Sequence, residues 1–275
     1  LKRITKYVCV RKTGPGKILV QIPPTILLRR GYHAGQITEL QTSTQERQEG
    51  YLMLGIIGGT SLLFAELPVL EPRTVHTPFG NTDLLVGDVV LLMRHQHDRP
   101  PHRVNFRANL AALAIAGVDR IVAFGSSGSM NPKIEPGALV IPTDYVSLAD
   151  IPSIHDHTVV HVMPELSREL SEALHRAVPA ARLGGTYVQT RGPRFETAAE
   201  IAGLSKVADL VGMTLASEAT LARELGISFA AICTVDNYAN GLTDDPLSWE
   251  EVLEISRQYR ERTGDILNTI IRQMT

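Results

Sequence analysis

Leu54-Gly55-Ile56-Ile57-Gly58-Gly59-Thr60 sets a short apolar run directly against two glycines and a hydroxyl residue. Such a run, bounded by turn residues, suits a strand buried on both faces, and strands of that kind belong to sheets covered by helices. The same pattern recurs outward from it. Residues 89–93 end at Arg94-His95, and residues 120–124 lead into the small-residue run Gly125-Ser126-Ser127-Gly128-Ser129. Further strands are expected at 138–142, 186–190, 210–213 and 228–235. Helical spacing falls between them, at 108–116 (closed by Gly117), 164–177, 198–206 and 217–225. A single long helix is expected over 246–274, with Val252, Ile255, Tyr259, Ile266 and Ile270 along one face. Strands alternating with helices predict an α/β fold.

The composition narrows what such a fold does. With 275 residues, 44% hydrophobic and 20% charged, the chain can fill one large core or two small ones. A net charge of -2 offers no basic excess for a phosphate backbone, and no window approaches the roughly 20 apolar residues that cross a bilayer. Nucleic acid and membrane are therefore not expected partners. Cys9 and Cys233 stand far apart with no CxxC, which argues for a reducing, cytoplasmic setting. The first fifty residues carry nine Lys and Arg against three Glu, net +6, so the remainder is net -8. With Gly14-Pro15-Gly16, Pro23-Pro24 and a polar run at 41–48, residues 1–52 read as a basic extension ahead of a main domain over 53–275. An organelle transit helix is disfavoured, because prolines interrupt the apolar run at 18–28.

Ligands of open α/β sheets gather beyond the carboxyl ends of the strands, so the residues just after each strand carry the functional information. Gly58-Gly59-Thr60 has the spacing of neither a dinucleotide nor a lysine-bearing phosphate loop, and alone it reads as a tight turn. Arg94-His95 heads a cluster with His97, Asp98 and His102; an arginine there can fork onto a phosphate. The proline-interrupted spacing argues against a metal, and none is expected. Gly125–Ser129 fails the nucleophile-elbow pattern because Ser129 stands in place of the second glycine, so it reads as a loop on which substrate or phosphate lies. Glu196, in Gly192-Pro193-Arg194-Phe195-Glu196-Thr197, reads alone as a helix-start residue. Asp236-Asn237-Tyr238-Ala239-Asn240-Gly241 reads alone as a polar turn.

Taken together and in order, residues 55–60, Arg94-His95, 101–109, 128–140, 192–197 and 212–222 resemble the methylthioadenosine phosphorylase and trimeric purine nucleoside phosphorylase family. The similarity covers essentially all of 53–275, which makes that region the catalytic domain. The resemblance implies a purine nucleoside phosphorylase-like fold: a single α/β domain with a mixed central sheet flanked by helices, usually a homotrimer or a dimer of trimers. Phosphate would be held by Thr60, Arg94, His95, the Gly125-Ser126 region and Thr214. Met213 would lie under the ribose, and Phe195, Glu196, Asn237 and Ala239 would surround the base. Asn237 and Glu196 would carry catalysis by stabilising the departing purine. Inorganic phosphate is a co-substrate, and no cofactor is expected.

The types at three positions point to the base. Asn237 can donate to O6, Glu196 can accept from N1–H, and Ala239 replaces an aspartate of adenine-preferring members, so a 6-oxopurine is expected. Trp249 stands where ribonucleoside enzymes carry a histidine. With Val252 it forms an apolar wall for a 5′-methylthio group, or else it anchors the last helix in the core. The leading substrate is 5′-methylthioinosine, followed by inosine or guanosine. Alternatives are a methylthioadenosine phosphorylase, a nucleosidase using water, and a non-catalytic purine-binding homologue. Gln96 stands where the family carries a glycine, which restricts the loop after His95.

Overall fold

A computed structural model describes residues 52–243 and 248–275, together with the backbone of two strands near the N-terminus. Those two, β1 (Cys9–Gly14) and β2 (Lys17–Gln21), pair antiparallel. The chain divides into two units, one of 53–154 with 162–275 and one of 1–52 with 155–161.

The frame of the larger unit is an 11-stranded mixed sheet. The central strands are β3 (Leu54–Gly58), β7 (Arg120–Ser129) and β13 (Ser228–Tyr238). β7 lies between the other two and is parallel to both. β3 is buried at every position, as its unbroken apolar run requires. β6 (Val90–Met93) runs parallel on its far side. Beyond lies an antiparallel hairpin, β4 (Glu71–Thr77) and β5 (Gly80–Val86), whose exposed polar alternation hid it in the sequence. Two apolar clusters form the principal core. One contains Ile57, Leu92, Leu113, Tyr187 and Val235, the other Ile56, Leu91, Phe124, Ile232 and Leu267. Neighbouring residues of one strand thus belong to different clusters, because successive side chains leave a strand on opposite faces.

Helix α1 (Phe106–Ile115) starts where the Asn105 side chain accepts the Ala108 N–H, and α2 (Arg168–Ala177) is capped in the same way by Ser167. A reciprocal capping box between Thr197 and Glu200 opens α3 (Ala198–Leu204) immediately after Glu196. Helix α4 (Leu215–Glu224) follows β12 (Leu210–Gly212).

Three sequence expectations change. The run Gly125–Ser129 is the second half of β7 and not a loop. It is held extended because β13 pairs with it on both sides of a one-residue register shift between Val235 and Asn237, and Gly125 makes room there: a Cβ would lie 3.0 Å from Cys233 Sγ. Likewise β13 continues to Tyr238, so Asp236-Asn237-Tyr238 is strand and not turn. The expected long C-terminal helix is two, α5 (Trp249–Gln258) and α6 (Arg260–Met274), meeting at Tyr259. Tyr259 has φ -92 and ψ 8, which leaves the helical basin and lets each helix find its own packing. The expected start at Pro246 lies outside the described residues.

Candidate active site

Two strand ends, the second half of β7 and two helix starts surround a cavity of about 820 Å³. β3 delivers Thr60, β6 delivers Arg94 and His95, and β7 delivers Ser126; Thr214 stands at the N-cap of α4. All five line its wall. Gly125 does not line it, because its Cα faces Cys233 inside the sheet. With the five stand Phe195, Glu196, Met213, Asn237, Ala239, Trp249 and Val252. Every other residue expected at the site therefore lies on this one wall.

Arg94 is 3% exposed, and its guanidinium is held from two sides. Nε donates to Glu218 Oε1 at 2.7 Å, while Nη2 donates to Glu218 Oε2 at 3.2 Å and to the Phe124 carbonyl at 2.8 Å. Nη1 is left against Gly59, where any Cβ would collide with it. Glycine at 59 is thus what admits the arginine. Burial pushes the Glu218 carboxyl above its usual range, and Arg94 opposes that shift by charge and by hydrogen bond. No spacing in the sequence pairs Glu218 with Arg94, since 124 residues separate the two.

His95 Nδ1 lies 2.8 Å from the Arg99 carbonyl, which can only accept, so Nδ1 carries the hydrogen and Nε2 is the free nitrogen. Burial, and then the charge of Arg94, hold its pKa below the ordinary histidine value. The loop beyond is fastened by Gln96. Its Oε1 accepts the Asp83 N–H at 2.8 Å, and its Nε2 donates to the Asp83 and Met93 carbonyls at 3.0 and 2.9 Å. Gln96 therefore restricts the loop by tying it to β5. Asp83, His97, Asp98 and Arg99 join the cavity wall through this loop, and the sequence offered no signal for Asp83.

On the α4 side, the Thr214 side chain makes no capping bond. Tyr187 Oη accepts the Thr214 N–H at 3.4 Å, and Gln189 Oε1 accepts the Ser217 N–H at 2.9 Å. Side chains from the sheet thus satisfy the helix start, and the Thr214 hydroxyl is spared for the cavity.

Glu196 and Asn237 bring a carboxylate and a carboxamide to the same cavity. Thr190 donates its hydroxyl to Glu196 Oε1, and Asn240 Nδ2 holds the Glu196 carbonyl at 3.2 Å. Asn237 Nδ2 donates one hydrogen to the Tyr238 carbonyl at 2.7 Å. The second hydrogen and Oδ1 remain for a ligand. Asn237 owes its place to a β-bulge: Val235 pairs with Ser127 and Asn237 with Gly128, leaving Asp236 as the extra residue. Arg194 is turned away, bound by Nη1 and Nη2 to the Glu200 carboxylate at 2.7 and 2.8 Å. Trp249 is 49% exposed on the cavity wall, so it is no core anchor; Val252 beside it is 4% exposed.

Among the described residues no group of three His, Cys, Asp or Glu is arranged to hold a metal ion, and no helix is long and apolar enough to cross a membrane. The arrangement can bind an anion beside a polar-edged planar ring. The phosphorylase superfamily model matches residues 54–272. A probable 6-oxopurine nucleoside phosphorylase of Archaeoglobus fulgidus is 39% identical over 240 residues, 81% of this chain and 97% of its own. A probable S-methyl-5′-thioinosine phosphorylase of Methanopyrus kandleri is 39% identical over 235 residues, 79% and 91% of the two chains. Methylthioadenosine phosphorylase from Schistosoma mansoni, solved in complex with adenine, superposes with TM-score 0.74 at 28% identity, over 82% of this chain and 92% of that one.

Proposed function

The chain belongs to the phosphorylase superfamily, and from that premise we propose that it cleaves a 6-oxopurine nucleoside with inorganic phosphate, releasing the base and a sugar 1-phosphate. The single observation that carries this reading is the shared cavity, lined by an arginine, a histidine and hydroxyls together with a carboxylate and a carboxamide. A hydrolase using water has no need of the first group.

Phosphate sits against Arg94, His95, Thr60, Ser126 and Thr214 and attacks the anomeric carbon as the glycosidic bond loosens, with an oxocarbenium-like sugar between them. Arg94, fixed by Glu218, holds the anion without having to reorganise. Met213 supports the sugar. Negative charge develops on the departing purine, where Asn237 donates to O6 or N7 and Glu196 accepts from N1–H. A 6-aminopurine has no N1–H and presents a donor at C6, leaving buried groups unpaired at about 1–3 kcal/mol each. No covalent enzyme intermediate and no cofactor are needed, because phosphate supplies the nucleophile.

Trp249 and Val252 favour 5′-methylthioinosine over inosine or guanosine, an apolar wall being matched to an apolar substituent. The reading extends to a cytoplasmic homotrimer, or dimer of trimers, on the family resemblance. Turnover of inosine, guanosine, adenosine and their 5′-methylthio analogues, with and without phosphate, tests the reaction. Phosphate-independent release of base at the same rate would make it a nucleosidase. Measurable purine binding with no turnover would make it a binding protein. Light scattering on the purified chain tests the assembly.

A further inference from the structure

Asp236, the bulged residue of β13, is 2% exposed and does not line the cavity. Its carboxylate is held by two hydroxyls. Ser126 donates to Oδ2 and Thr234 donates to Oδ1 at 2.8 Å, and among the described residues no cation pairs with it. Ser126 itself lines the cavity on the strand whose Phe124 carbonyl anchors Arg94.

A serine hydroxyl has one hydrogen and two lone pairs, and an ionised carboxylate can only accept. While Asp236 is charged, the hydrogen of Ser126 is committed to it. Ser126 therefore turns lone pairs toward the anion site. Arg94 and Thr214 can donate there, and His95 can become a donor by taking up a proton; Ser126 cannot.

Resting on the phosphorylase reading above, we infer that Asp236 is a positioning residue that makes Ser126 an obligatory acceptor, so that the site selects hydrogen phosphate, which carries an O–H, over sulfate, which carries none. The O–H of hydrogen phosphate donates to Ser126. Sulfate at the same place sets lone pair against lone pair. The two anions share size, shape and double charge, so the proton is the feature left for the protein to read.

Calorimetric titration of the full chain at pH 8 with potassium phosphate, and separately with potassium sulfate, tests this without nucleoside, so that no sugar hydroxyl can be the donor. The wild type is expected to bind phosphate roughly 10- to 100-fold more tightly than sulfate, the range of one buried hydrogen bond. In Asp236→Asn the amide donates to Ser126 and releases its hydrogen toward the cavity, so the ratio falls to within about threefold, chiefly through tighter sulfate binding. Ser126→Ala removes the acceptor, and there the ratio falls through weaker phosphate binding. A merely structural role would weaken both anions alike. Equal wild-type affinities, or an undiminished ratio in both variants, would overturn the inference while leaving phosphorolysis intact. Binding of neither anion, with base release independent of phosphate, would instead remove the reading beneath it.

Discussion

Arg94 and Glu218 form a buried ion pair, Nε to Oε1 at 2.7 Å, with the two side chains 3% and 1% exposed. The pair leaves Nη1 as the part of the guanidinium next to Gly59. On the phosphorolytic reading, the carboxylate orients the arginine before the anion arrives. Glu218→Ala strands a buried cation and should cost about 3–5 kcal/mol, read from urea unfolding. Glu218→Gln keeps the volume and should raise the phosphate KM by about tenfold or more with a smaller change in kcat, a single lost charge-assisted bond being worth that much. An unchanged KM in Glu218→Gln would show that the pair does not position Arg94.

Gly59→Ala is expected to act on the same group from the opposite side. The added Cβ cannot coexist with the Arg94 guanidinium in its present place. Phosphate KM should rise at least about tenfold, while the KM for nucleoside moves little. Equal effects on both substrates would place the disturbance elsewhere.

Asn237→Asp exchanges the free donor hydrogen for an acceptor. The ratio of inosine-type to adenosine-type kcat/KM should fall by about 10- to 100-fold. A constant ratio in steady-state assays would remove Asn237 as the reader of the base.

Trp249, half-exposed on the cavity wall, should be replaceable without cost to the fold. Trp249→His is expected to shift thermal stability by no more than about 0.5 kcal/mol and to move preference from 5′-methylthioinosine toward inosine. If the ratio of kcat/KM for these two is unaffected, the indole does not contact the 5′ group.

Asp236 makes stability depend on pH. Burial raises its pKa from 3.8 to about 6, while the Ser126 and Thr234 hydrogen bonds oppose the shift. The folded carboxyl binds its proton more tightly than the unfolded one. The corresponding stabilisation is present below about pH 4 and is lost as pH rises through 6, at most roughly 3 kcal/mol. Asp236→Asn should therefore gain stability relative to wild type as pH rises from 4 to 7, measured by urea midpoints. A constant difference across that range would mean that Asp236 does not titrate there in the folded state.

Much of the architecture was legible because β3, β6 and the first half of β7 are continuous apolar runs ending in glycine or polar residues. The hairpin of β4 and β5 was not, since its exposed alternation resembles loop composition. Gly125–Ser129 and Asp236–Tyr238 were misread for a related reason. Small and polar residues have low intrinsic strand preference, and it is pairing of β7 with β13 and β12 that holds them extended.

The residue types at the site were local information. A forked cation at Arg94, an acceptor at Glu196 and a two-way carboxamide at Asn237 declare their chemistry wherever they stand, and their order along the chain was enough to suggest the family. How those groups are oriented was not local. The Glu218 clasp on Arg94, the Gln96 tie to Asp83, the Tyr187 hydroxyl that spares Thr214 and the Asp236 acceptor that turns Ser126 all depend on partners brought together by the sheet. Hydrogen bonds are short-ranged and directional, so their pairing is decided by where the strands place each donor and acceptor, which no spacing in the sequence records.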